Sequence, residues 1–126
     1  MKRLVVVVLA VAGLAAGLDV LADLTQDRPD KIPAGSRSEI VLDVRHRSTE
    51  PAEVRSAQGL WGACQGTVWQ RITDPGVVEL AGGRFLVTTS PAVGEYAWRR
   101  LQGCLEDMTV DRVRAEVVSK RDVQAP

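Results

Sequence analysis

The apolar pattern of this 126-residue chain changes period several times, and each change marks an element. From Leu4 to Leu18 the run is unbroken, with Lys2 and Arg3 ahead of it and Asp19 and Asp23 behind. So uniform a run has no polar face to turn to water, and the rest of the chain has too little apolar surface to enclose it as a core helix. A basic start followed by an apolar segment describes an export signal. Extended through Val20-Leu21-Ala22, the run approaches the roughly 20 residues that span a bilayer. Residues 1–22 therefore read as a signal-anchor or transmembrane helix, or as a cleaved signal peptide with Val20-Leu21-Ala22 as its cleavage site. Either way the basic flank stays in the cytoplasm and the carboxyl part lies outside. The expected location is a single-pass position in the cell membrane, with secretion as the alternative.

Residues 23–38 carry Pro29, Pro33, Gly35 and charges without an apolar period, which reads as a linker. Strict alternation then begins: Ile40, Leu42 and Val44 on one face, Val41, Asp43 and Arg45 on the other, a half-buried strand. Ser48-Thr49-Glu50-Pro51 supplies cap candidates, and Val54, Ala57, Trp61, Cys64 and Val68 follow at helical spacing. Asp74-Pro75-Gly76 reads as a turn. Val77–Leu80 and Arg84–Thr89, joined through Ala81-Gly82-Gly83, read as a β-hairpin. Ser90-Pro91 opens a second helical stripe of Val93, Ala97, Leu101, Cys104 and Met108. Val113, Ala115 and Val117 alternate with charged residues as a last strand, one suited to a sheet edge. The stretch after Ser119 reads as frayed, with 124–126 as tail.

One unit occurs twice: a strand, a Thr-x-Pro-Ala turn, and a helix whose cysteine lies at the same distance from the proline (Thr49, Pro51 and Cys64; Thr89, Pro91 and Cys104). The element order β-α-β-β-α-β over residues 39–123 points to an α+β, ferredoxin-like two-layer sandwich: four antiparallel strands with two helices on one face. This order implies a fold class and no family. Two helices that each follow a central strand run in the same direction, which brings Cys64 and Cys104 to similar height. In an exported chain an even cysteine count favours a disulfide. Buried free thiols are the plain alternative. A redox pair would want Cys-x-x-Cys at a helix start, and a metal would want more ligands than two cysteines and one histidine. No cofactor or metal is expected.

Charge narrows the partners. Residues 36–126 hold as many acidic as basic side chains, so there is no field to attract nucleic acid. The expected partners are the membrane, through the N-terminal helix, and another protein at the cell surface. His46, the single histidine, lies between Arg45 and Arg47 at a strand end. A solvated loop histidine is the plain reading; a small anion site at Arg45, His46 and Arg47 is the functional one. Asp43 is three residues from His46, which puts the two on opposite faces of a regular strand. Trp98, beside Arg99 and near Tyr96, reads as a candidate interface or as cover for the helix–sheet edge. Glu106, Asp107 and Asp111 read as solvated charge. With no phosphate-cradling loop or nucleophile elbow, the function expected is a non-enzymatic extracytoplasmic module for protein interaction or structure. The alternative is a small anion-binding enzyme or hydrolase at Arg45-His46-Arg47.

Overall fold

The computed structural model describes residues 2–24, 29–48, 51–68 and 72–124, with the side chains of 2–5, 22–23 and 73–74 outside that description. The cap candidates Thr49 and Glu50, and part of the linker and tail, lie outside the described residues. Helix α1 runs Lys2–Leu24. Residues 6–21 are all exposed. Among the described residues no helix is long and apolar enough to cross a membrane.

The domain is α+β. After α1 the elements are β1 (Arg37–His46), α2 (Val54–Cys64, continued as a 3-10 turn over Gln65–Thr67), β2 (Thr73–Glu79), β3 (Arg84–Ser90), α3 (Glu95–Asp107) and β4 (Val113–Val123). The four strands form one antiparallel sheet in the order β2-β3-β1-β4. Alternation decides which face is covered. Ile40, Leu42 and Val44 of β1, Phe85 and Val87 of β3, and Val113 and Ala115 of β4 are all buried. They form one core with Ala57, Leu60, Trp61 and Cys64 of α2 and Ala97, Leu101 and Leu105 of α3. Leu60 and Leu105 widen the two stripes beyond the positions the spacing picked out, because a helix packed on a sheet buries more than a single row.

Four local expectations are corrected. Both helices start later than their prolines suggested, at Val54 and Glu95; after Ser90-Pro91, which is a cis bond, Ala92 and Val93 fill the core before the helix begins. Asp74-Pro75-Gly76 is not a turn but part of β2, where the register shifts between Thr73 and Gly76. An edge strand tolerates proline because one side of it has no ladder to complete. The stretch after Ser119 is not frayed through Val123. It pairs with Arg37–Val41 beyond an irregularity that sets Val41 against Ser119 and Leu42 against Val117. That shift inverts the alternation and hides the strand from a period-two reading.

The cysteine pair lies at disulfide distance, with an S–S separation of 1.99 Å, a Cα–Cα separation of 5.7 Å and 40 residues between the two positions. The chain-entropy account values a loop of that size at about 4 kcal/mol, a large contribution to a domain this small.

A second tie comes from the stretch read as linker. The N-cap of α3 is Gly94, which has no side chain to offer the free amides of the first turn. Asp30 takes that role from a distance: its Oδ1 accepts from the Tyr96 N–H at 2.9 Å and its Oδ2 from the Ala97 N–H at 2.9 Å. The approach is so close that a Cβ on Gly94 would collide with Cβ and Cγ of Asp30. Glycine is needed there for proximity, not for its dihedral freedom.

A cap of this kind contributes about 1 kcal/mol. Asp30→Gly is expected to lower unfolding stability by roughly that amount, and Gly94→Ala by at least as much, since it expels the same carboxylate. In the double variant the two losses should be far from additive. Additive losses in a denaturant-unfolding cycle would show that the two positions do not share a contact.

Candidate functional site

The described surface has a cleft of about 500 Å³ at the end of the sheet where β1 stops and β4 starts. β1 contributes Asp43, Arg45 and His46 to it, followed by Arg47. β4 and the turn before it contribute Arg112, Arg114 and Glu116, and the last turn of α3 contributes Glu106. The three residues Arg45, His46 and Arg47 are therefore brought together with two further arginines. Sequence reasoning missed those two because they are distant in the chain. The signal that could have found them is the pairing of the first strand with the last, which sets Arg45 opposite Arg114 and His46 opposite Val113.

The backbone here is unusual. Val110 and Val113 exchange both of their hydrogen bonds around a two-residue turn. Its central residues, Asp111 and Arg112, have φ of 48° and 66°. Two left-handed residues make the tight turn that suits a twisted hairpin, and Asn-Gly or Asp-Gly is the usual occupant. Aspartate tolerates this region; arginine has no such dispensation, and a left-handed residue with a Cβ costs about 1–2 kcal/mol. The Arg112 carbonyl accepts from the Arg47 N–H at 2.9 Å, which pins the strained turn to the end of β1.

Electrostatics divides the arginines. Arg45 is occupied: its guanidinium lies 3.1 Å from the Asp43 carboxylate. These hydrogen bonds hold the Asp43 carboxyl below its ordinary value; partial desolvation opposes them, and the nearby charges of Arg45 and Arg84 add to the lowering. Arg47, Arg112 and Arg114 make no side-chain hydrogen bond or ion pair among the described residues. His46 does not face Asp43. Its Nδ1 accepts from the Ser48 N–H at 3.1 Å and also contacts the Ser48 hydroxyl, which leaves the proton of the neutral ring on Nε2. Of the acidic residues read as solvated, Glu106 lines the cleft and accepts from the Gln102 amide, whereas Asp107 and Asp111 are exposed.

The candidate interface lies elsewhere. Trp98 is half-buried against the core, and the Lys120 ammonium stands 5.7 Å from the centre of its ring. Lys120 in turn pairs with Asp122, whose other oxygen accepts from the buried Ser38 hydroxyl. Ser38 Oγ also accepts from the Val93 N–H. This is a helix–sheet edge closed by a polar chain. Arg99 is exposed, paired with Glu95 and 6.0 Å from the Tyr96 ring centre. Among the described residues no group of three or more His, Cys, Asp or Glu side chains is placed to hold a metal ion. No protein family, curated protein or solved structure matches this chain.

The Asp43–Arg45 pair has a definite pH signature. Because the folded pKa is depressed, the pair stabilises fully above the unfolded value, and the contribution is lost as pH falls through the folded one. In a carboxyl-detected NMR titration, Asp43 is expected to titrate below ordinary aspartates in the wild type. It should move up toward them in Arg45→Ala. An Asp43 midpoint unchanged by Arg45→Ala would mean that another group lowers it.

Proposed function

We propose that the chain is an exported, non-enzymatic extracytoplasmic module that α1 carries to, or holds at, the outer face of a membrane, where the domain binds another protein. The observation that carries this reading is a pairing of two features at opposite ends of the physics. One is a helix whose sequence is apolar from Leu4 to Leu18 behind Lys2 and Arg3, exposed over residues 6–21; the other is a cysteine pair at disulfide distance within the core. Cytosolic chemistry keeps thiols reduced, so a core built around such a pair fits an oxidising compartment. The apolar run of the sequence also continues at both ends, through Leu4, Val5 and Ala22, into side chains outside the description. We read the domain as a ferredoxin-like sandwich. Its support is the order β-α-β-β-α-β, with α2 and α3 each following one of the two central strands, β1 and β3.

The test is an intact-mass measurement on cytoplasmic, membrane and external fractions of cells making the full chain, with and without reduction. We expect the chain outside the cytoplasm and two hydrogens lighter before reduction. Recovery from the cytoplasm with two free thiols would overturn the reading.

A second reading, a small hydrolase acting at Arg45-His46-Arg47, is favoured by one contact: the Ser48 hydroxyl on His46 Nδ1 resembles a nucleophile on its base. The backbone N–H of Ser48 shares the same nitrogen, however, which occupies the lone pair a base needs. We therefore expect no turnover of aryl esters or aryl phosphates above the buffer rate. Turnover that disappears in both Ser48→Ala and His46→Ala would establish the hydrolase instead.

A further inference from the structure

We infer that the cleft between the end of β1 and the start of β4 is a binding site for a peptide-borne carboxylate, held by Arg47, Arg112 and Arg114. The inference rests on the interaction-module reading and assigns the surface that does the work.

Three observations point the same way. First, strand pairing sets like charges against one another: Arg45 is directly opposite Arg114, and the next step of the ladder joins Arg47 to Arg112 through the backbone. Like charges facing across a ladder destabilise it. Asp43 relieves this only at Arg45. Second, Arg112 sits in a left-handed conformation where glycine would be strain-free, and its carbonyl is tied to Arg47. Strain of this kind persists where the surroundings over-determine it, and it clusters at ligand sites. Third, the three remaining guanidiniums have no side-chain partner among the described residues. Each presents a planar fork of donors that matches a carboxylate.

The charge count selects the ligand. With Arg45 neutralised by Asp43, three arginines face two glutamates, Glu106 and Glu116, so the cleft has an excess of one positive charge. That complements a single carboxylate. A phosphate dianion would be pressed against the glutamates, and no such conflict arises for a peptide, whose backbone N–H groups give Glu106 and Glu116 something to accept. A volume of about 500 Å³ likewise exceeds what a bare oxyanion fills and accommodates several peptide atoms around the charge.

The experiment is a ¹H–¹⁵N titration of the full-length chain in detergent micelles. Four probes are compared: acetyl-triglycine with a free carboxylate, its carboxamide, acetyl-aspartate methylamide, and inorganic phosphate. We expect saturable shifts of the Arg47, Arg112 and Val113 amides with one or both carboxylates at millimolar concentration, and none with the carboxamide. The tighter of the two carboxylates tells whether a chain terminus or an acidic side chain is the natural source. Phosphate should bind at least tenfold more weakly. Arg47→Gln should abolish the shifts at Val113. Arg112→Gly should do the same while melting no lower than the wild type, because glycine relieves the strained turn. If Arg112→Gly melts lower, Arg47→Gln alone decides. Absent or unsaturable shifts, phosphate binding as tight as carboxylate, or unchanged binding in Arg47→Gln would each overturn the site. Failure here would leave the export and disulfide measurements untouched, and failed export would leave the titration standing.

Discussion

β1 is hydrogen-bonded along both edges, to β3 on one side and β4 on the other, and the remaining elements take their places from those two ladders. A strand paired on both sides has fixed register. In this strand register decides burial, because Ile40, Leu42 and Val44 must all reach the covered face together. The same ladders bring the first and last strands of the domain side by side. Contacts of such long sequence separation are entropically costly to close. The Cys64–Cys104 pair and the Asp30 cap offset part of that cost by tying α2 to α3, and the N-terminal stretch to α3.

The central strand also gives the domain two unlike ends about 30 Å apart, ten residues at the rise of an antiparallel strand. Asp30, the start of α3 and the buried Ser38 lie at one end. The end of α3, the strained turn and the arginine cleft lie at the other. Only residues 25–28 separate α1 from the docked Pro29–Asp30 segment, a reach of no more than about 18 Å at full extension. The cap thus keeps the tether short.

Periodicity carried most of the fold. The alternation of β1 and the cysteine-bearing stripes of α2 and α3 were legible because burial on a single face leaves an uninterrupted pattern. The features that escaped were those in which a local signal competes with a tertiary one. The irregularity opposite Val41 and Leu42 inverts the alternation of β4, so Lys120 and Asp122 looked like tail although they close the edge over Trp98 and Ser38. Pro75 is a turn signal in isolation and an edge-strand residue in the sheet. Asp30 looked like a charged linker residue because its partners, the Tyr96 and Ala97 amides, are backbone and leave no trace in sequence. Half of the cleft was visible as Arg45-His46-Arg47. Arg112 and Arg114 were not, because nothing local distinguishes them from solvated charge.

Two tight hairpin turns among the described residues make an informative contrast. Between β2 and β3, the positive φ values fall on Gly82 and Gly83, and the turn costs nothing in side-chain strain. Before β4, the same backbone requirement falls on Asp111 and Arg112. Elsewhere local chemistry largely agrees with the fold: glycine where Asp30 must approach, and apolar residues over most of the covered face, where the buried Ser38 hydroxyl is held by Asp122 and the Val93 N–H. At one end a strained arginine, a facing pair of arginines and a charge-lined cleft coincide. Consistency across levels is what makes a sequence specify one structure, and sites of function are where it is given up. Folding alone gives no reason to keep an arginine in a left-handed turn opposite other arginines. A ligand whose negative charge is shared among them does.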